Sequence, residues 1–168
     1  MKGVDNEMNK PYELNGFVQA AVHKYSQTIV KVAFSYLKNT ADAEDITQEV
    51  FLSLMQNQSE FKNEEHLKAW LIRVAINKCK NHLKSGWFKS NNPIPEDFSY
   101  LPSEQSELLT TVLSLDVKYR LPIHLFYYEE YSIKEIAEIL EEKEKTIGTR
   151  LARGRKILKN IIGGLDDE

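Results

Sequence analysis

From Phe17 to Leu37 apolar residues fall at 18, 22, 25, 29, 32 and 36, in alternating steps of four and three, with Ala21, Ala33 and Leu37 widening the stripe. That period predicts one long amphipathic helix. Asn39 and Thr40 interrupt it, and Ala41 opens a second helix whose inward face is Ala43, Ile46, Val50 and Leu54. Its first turn carries Asp42, Glu44 and Asp45, where negative charge suits the helix dipole. Those acids, with Gln48 and Glu49, stand off the apolar stripe, and Phe51 is expected at the edge of their face. Such a face is either a solvated surface or a docking surface for a basic partner helix. A polar loop over 56–62 contains Phe61, and Asn63 can cap a third helix with Glu64 and Glu65 in its first turn. Trp70, Leu71, Ile72, Val74, Ala75 and Ile76 are apolar on nearly every side, so the middle of this helix is expected to be buried all round. Its far end turns polar and basic with Asn77, Lys78, Lys80, Asn81, His82 and Lys84, followed by Trp87 and Phe88. That composition fits lysines satisfying a helix C-terminus, and equally fits contact with phosphates and unstacked bases.

Residues 85–103 hold three of the five prolines and little periodicity, which reads as a linker. Beyond it, Leu108, Leu109, Val112 and Leu115 predict a helix over 104–115. Pro122 is tolerated near a first turn, so the next helix is expected to begin at about Arg120, with Leu121, Leu125 and Tyr128 lining its buried side. Ser132 and Glu135 have the capping-box spacing, and Ile133, Ile136, Ala137 and Leu140 form a stripe behind them. A second stripe, Ile147, Leu151, Gly154 and Leu158, follows after a stretch too short for anything but a turn. The two stripes face each other as a helix-turn-helix. The expected fold is all-α: two small helical domains, 15–85 and 104–162, joined by a flexible linker over 86–103. That linker can span roughly 60 Å at most.

Charge sharpens the picture. The 168-residue chain has a formal net charge of −3, yet 143–159 holds seven basic residues against the single acid Glu144. A cationic helix on an acidic protein is either a solvated surface or a helix that enters the major groove of DNA. With 42% hydrophobic and 28% charged residues the chain is globular rather than disordered. Cys79 is the only cysteine, no apolar run approaches a membrane span, and the first residues lack the apolar segment of a signal peptide, so a cytoplasmic protein is expected. Cys79 and His82 have a C-x-x-H spacing, but zinc needs two more ligands, so no metal and no cofactor is expected. No Walker loop, H-E-x-x-H or G-x-S-x-G motif is present, and no catalysis is expected.

Four blocks in order, A41-D-A-E-D-I-T-Q-E-V-F51, A69-W-L-I-R-V-A-I-N-K78, L115-D-V-K-Y-R120 with Y131-S-I-K-E-I-A137, and T146-I-G-T-R-L-A-R153, resemble the extracytoplasmic-function (ECF) group of RNA polymerase sigma factors. The resemblance runs from about Phe17 to Lys159. It implies a sigma-two domain, a linker and a sigma-four domain that together direct core RNA polymerase to promoter DNA, with an anti-sigma factor as a restraint and no insertion of this chain into a membrane. It places Asp42, Glu44, Asp45, Gln48, Glu49 and Phe51 against the polymerase clamp helices. Asn77, Lys78, Lys80, Asn81 and Lys84 match the minus-ten contacts, and the loop over 61–66 matches a pocket for a flipped base. Lys145, Gly148, Thr149, Arg150, Ala152, Arg153 and Lys156 match the minus-thirty-five reader, where Lys143, Lys145, Arg155 and Lys156 suit phosphate. The chain departs from the pattern at the turn, with Glu141, Glu142 and Lys143 in place of glycine, an apolar residue and proline. It also has Lys145 in place of glycine, and Gly148 in place of a lysine or arginine. The alternative is a conventional helix-turn-helix regulator that acts without docking to polymerase. That reading expects tight binding by the protein alone to a symmetric operator.

Overall fold

The computed structural model describes residues 10–57, 59–85 and 106–165, in seven α-helices: α1 (Lys10–Leu37), α2 (Thr40–Gln56), α3 (Glu64–Lys84), α4 (Ser106–Ser114), α5 (Val117–Tyr127), α6 (Ile133–Leu140) and α7 (Glu144–Leu165). No strand occurs among the described residues. The expected linker and the aromatic pair Trp87 and Phe88 lie outside them.

Side chains cap the unpaired first-turn amides of α2, α3, α5 and α6. Asn39 accepts from the Asp42 amide at 2.9 Å and Asn63 from the His66 amide at 2.8 Å, so the residue expected to break the first helix also begins the second. Helix α1 begins at Lys10, earlier than the periodicity at Phe17 suggests. Helix α5 likewise starts at Val117 rather than at about Arg120. Asp116 caps it through the Lys118 amide at 3.0 Å, and Pro122 therefore lies in its second turn, where it makes no amide bond and its ring crowds the Lys118 carbonyl.

Helices α1, α2 and α3 pack together around Ile29, Val32, Val50, Leu54, Leu71, Ile72 and Ile76, all nearly or fully buried. Helices α5, α6 and α7 close a second core with Leu125, Ile136, Ile147 and Leu151, and Leu113 of α4 is buried with them. Two expectations on α5 and α3 change. Tyr128 is 39% exposed and stacks on the buried His124 ring, because the inward face of α5 runs through Leu121, His124 and Leu125. Trp70 and Val74 are half-buried rather than enclosed.

The α6–α7 turn shows what replaced the expected glycine. Ser132 and Glu135 form both bonds of the capping box at the start of α6. At its end the Glu142 amide donates to Ala137 O at 2.9 Å and the Glu141 amide to Glu138 O at 3.4 Å, a Schellman closure with Glu141 at φ 56°. A left-handed conformation costs an L-residue roughly 1–2 kcal/mol, against about 0.5–1 kcal/mol of extra chain entropy lost by glycine. Glu141→Gly is therefore expected to stabilise the fold by up to about 1 kcal/mol, read as a higher midpoint in urea or heat.

Candidate nucleic-acid interface

Three surfaces gather the predicted residues. On α2, Glu44, Asp45, Gln48 and Glu49 are exposed and Asp42 is half-buried. Phe51 is the exception: it is 6% exposed and joins Ala43, Ile46, Val50 and Leu54 in the core, since position 51 continues that stripe at i+4 from Thr47, itself buried. The apolar side chains on the outer face are instead Leu52 and Met55, 56% and 44% exposed. With Asp45, Gln48 and Glu49 they share one helical stripe. Both fall one residue off the buried period, a signal that the sequence itself carries.

The basic end of α3 lies directly beside this acidic face. Lys78 Nζ is 3.6 Å from Glu49 Oε2, and His82 Nε2 is 3.4 Å from Asp42 Oδ2. Lys78 therefore turns toward α2, whereas Asn77, Lys80, Asn81 and Lys84, at i, i+3, i+4 and i+7, form a separate exposed row. Cys79 sits behind that row with no exposure, and burial pushes its thiol up to about 12, so it is no nucleophile at neutral pH.

At the other end of α3, the loop expected to form a base pocket carries an aromatic cluster. Phe61 meets His66 and Trp70 edge-on, each with ring centroids 5.5 Å apart, and stacks with Phe17 at 6.3 Å. His66 Nδ1 accepts from the Lys62 amide at 3.2 Å, which fixes the loop's curvature. Phe17 comes from α1, 44 residues before Phe61, so nothing local assigns it to this patch.

On α7, Lys145, Gly148, Thr149, Ala152, Arg153 and Lys156 lie along one face at steps of three and four, all exposed except the half-buried Gly148. Arg150 is half-buried and pairs with Glu142 at 3.0 Å, and Arg155 donates to Tyr127 Oη at 3.1 Å. Beside the row lies an open basic cleft of about 350 Å³, lined by Lys118, Tyr119, Lys143, Lys145, Arg150 and Arg153 together with two threonines. Lys118 belongs to α5 and reaches the cleft only through tertiary packing, so sequence spacing did not reveal it. Five cations around one opening suit phosphate oxygens.

An all-helical protein with an acidic face on one module, a basic row beside it and a basic helix-turn-helix on the other is a modular DNA-binding protein with a surface left for a protein partner. Comparison with known proteins makes this specific. The family models Sigma-70 region 2 and Sigma-70, region 4 match residues 21–88 and 105–158. The chain belongs to the sigma-70 family of RNA polymerase sigma factors, in its ECF branch. It is 26% identical to RNA polymerase sigma factor SigV of Bacillus subtilis over 90% of this chain and 95% of that one. It is 28% identical to the ECF sigma factor SigW of the same organism over 84% and 86%. Among solved structures, it resembles the sigma factor RpoE in complex with the anti-sigma factor NepR from Bartonella quintana. That likeness has a TM-score of 0.68 at 19% identity and covers 86% of this chain and 96% of that one. CnrH in complex with the cytosolic domain of CnrY gives a TM-score of 0.64 at 21% identity, covering 88% of each chain. At these identities the structural likeness establishes the shared helical fold. No described helix is long and apolar enough to cross a membrane.

Proposed function

We propose that this chain docks on core RNA polymerase through the exposed stripe of α2 and recognises a promoter at two places, the minus-ten element with α3 and the minus-thirty-five element with α7. The observation that carries this reading is the adjacency on one small module of an acidic face and a basic row, joined by the Glu49–Lys78 and Asp42–His82 pairs. A protein that only bound DNA would gain nothing from five acidic or amide side chains so close to its phosphate contacts, since like charges repel the duplex. Asp42, Glu44, Asp45, Gln48 and Glu49 serve as docking residues, with Leu52 and Met55 supplying the apolar part of the contact. Phe51 supports this surface from beneath.

Asn77, Lys80, Asn81 and Lys84 face the opened minus-ten strand, with Lys78 at the boundary of the two surfaces. The Phe61, His66 and Trp70 cluster offers ring faces and edges to an unstacked base, worth about 1–3 kcal/mol per stacked base. Lys145, Gly148, Thr149, Ala152 and Arg153 face the minus-thirty-five major groove, while Lys118, Lys143, Arg150 and Lys156 hold its phosphates. Each contact alone is modest. Polymerase sets the distance between the modules, so the second contact forms at high effective concentration. The solved structure of a similar sigma factor in complex with the anti-sigma factor NepR supports a partner of that kind here as well.

Run-off transcription on genomic fragments with core polymerase and this chain tests the reading. Discrete promoter-specific transcripts are expected, and tight DNA binding by the chain alone with no transcripts would favour the regulator alternative. In the same assay Asn77→Ala is expected to cut transcript yield about ten- to hundred-fold, the worth of one good base contact. Its affinity for core polymerase should stay unchanged. An equal loss of both would make Asn77 a structural or docking residue.

A further inference from the structure

Helix α5 lies beneath α7, and its two ends come out on opposite edges of the row proposed to face DNA. Tyr119, Ile123 and Tyr127 stand four residues apart and form one ridge along α5. Gly154 of α7 is buried over that ridge, where an added Cβ would lie 3.3 Å from Tyr119 Cβ and 2.6 Å from Ile123 Cδ1. At one end Tyr119 and Lys118 line the basic cleft with Arg150 and Arg153. At the other end Tyr127, 51% exposed, meets Arg155, whose Nη1 donates to the Tyr127 hydroxyl at 3.1 Å.

The helical period puts these two ends on different sides of α7. Arg150 and Arg155 are roughly 140° apart around the helix, and the buried Leu151 and Gly154 fill that interval on the inner side. The exposed Ala152 and Lys156 therefore run between them on the outer side. A helix in the major groove has a wall of phosphates on each side, about 12 Å apart. The stretch of α5 from Tyr119 to Tyr127 rises about the same 12 Å, so this one helix is long enough to bring a donor to each wall.

The chemistry at the Tyr127 end suits a phosphate. Because the Tyr127 oxygen accepts from Arg155, its own O–H is left to donate outward, and Arg155 keeps four further N–H donors in a planar fork. Arg150 is partly neutralised by Glu142, whereas no carboxylate pairs with Arg155 among the described residues. Phe126 meets the Tyr127 ring edge-on at 5.0 Å and restrains it. We propose that Tyr127 is a positioning residue that presents Arg155 to a backbone phosphate on one wall of the groove, while Lys118, at the other end of α5, takes a phosphate on the opposite wall. The inference rests on the reading that α7 enters the groove. It adds a residue from outside the helix-turn-helix, and a two-sided grip that fixes how α7 sits without itself reading bases.

Phosphate contacts do not depend on sequence, so a labelled mixed-sequence duplex of about 20 base pairs tests the proposal on the full chain, with anisotropy followed at several salt concentrations. Arg155→Gln is expected to weaken binding about ten-fold at low salt and to flatten the slope of log affinity against log salt by about 0.9. Tyr127→Phe keeps both the charge and the ring. It should weaken binding about three- to five-fold, leave the thermal midpoint in place because the hydroxyl is at the surface, and cost little more once Arg155 is already Gln. Lys118→Gln combined with Arg155→Gln should give the product of the two separate losses and a slope flatter by about 1.8. Unchanged affinity in Tyr127→Phe, or the same loss with and without the Arg155 guanidinium, overturns the positioning role. A combined loss no larger than either single one places Lys118 and Arg155 on one phosphate and overturns the two-sided grip. Arg153→Gln is the control for the groove reading. If it flattens the slope and Arg155→Gln does not, the grip alone falls; if neither does, α7 does not enter the duplex and both fall.

Discussion

Asp45→Arg is expected to lower transcript yield at limiting protein by at least about a hundred-fold, the scale of placing a like charge in an electrostatically complementary contact. Asp45 is the most discriminating of the acidic residues. It is exposed on the outer stripe of α2, whereas Asp42 and Glu49 also pair with His82 and Lys78, so reversing either of those would disturb the neighbouring basic end of α3 as well. Because Asp45 lies off the buried Ala43–Ile46–Val50–Leu54 stripe, the thermal midpoint should hardly move, and binding of isolated minus-thirty-five duplex by the other module should be unchanged. Excess Asp45→Arg protein should restore part of the yield, since the defect is one of recruitment. Normal recruitment by the variant at limiting concentration would remove α2 from the polymerase contact and return its acids to the role of a solvated face.

Most of the architecture could be read along the chain because its helices are short-range objects. The i, i+3, i+4 stripes of α2, α6 and α7 and the caps Asn63 and Ser132 need only neighbours within a turn. What escaped depends on packing between distant segments. Arg120 reads as one more basic residue in L115-D-V-K-Y-R120, and only the fold brings the ends of α1 and α4 to it. Lys118 and Phe17 join the basic cleft and the aromatic patch for the same reason. Phe51 was misplaced because a residue at the edge of an apolar stripe can turn either way, and the presence of α1 and α3 on that side decides the matter. Pro122 misled differently. A proline inside a helix loses its amide bond and crowds the carbonyl four residues back, yet the Asp116 cap and the burial of Leu121, Ile123 and Leu125 hold α5 together around it.

The turn shows how a departure from a family pattern is accommodated. Glu141 takes the left-handed position that glycine would fill without strain, and the Schellman bonds hold it there. The departure changes stability and leaves the chain path intact.

Two glycines on α7 should answer the same kind of substitution with opposite signs. At Gly154 an added Cβ would lie 2.6 Å from Ile123 Cδ1 and 3.3 Å from Tyr119 Cβ, where α7 crosses α5. Ile123 is 2% exposed and has little room to move. Gly154→Val is therefore expected to cost about 3 kcal/mol, the upper end of overpacking, lowering the midpoint by roughly 10 °C or more and weakening minus-thirty-five binding as α7 is pushed from its seat. At Gly148 an added Cβ meets nothing within 4 Å. Gly148→Ala should stabilise α7 by about 1 kcal/mol, the propensity difference alone. Gly148→Lys keeps most of that gain and adds a cation between Lys145 and Ala152 on the row proposed to face DNA. If that row docks as proposed, minus-thirty-five duplex binds the variant more tightly. A lysine that reaches phosphate should also steepen the dependence of log affinity on log salt by about 0.9, while one that reaches a base edge should change the preferred sequence. A variant that is stabilised but shows neither change would mean that residue 148 points away from the duplex, and that a different face of α7 enters the groove.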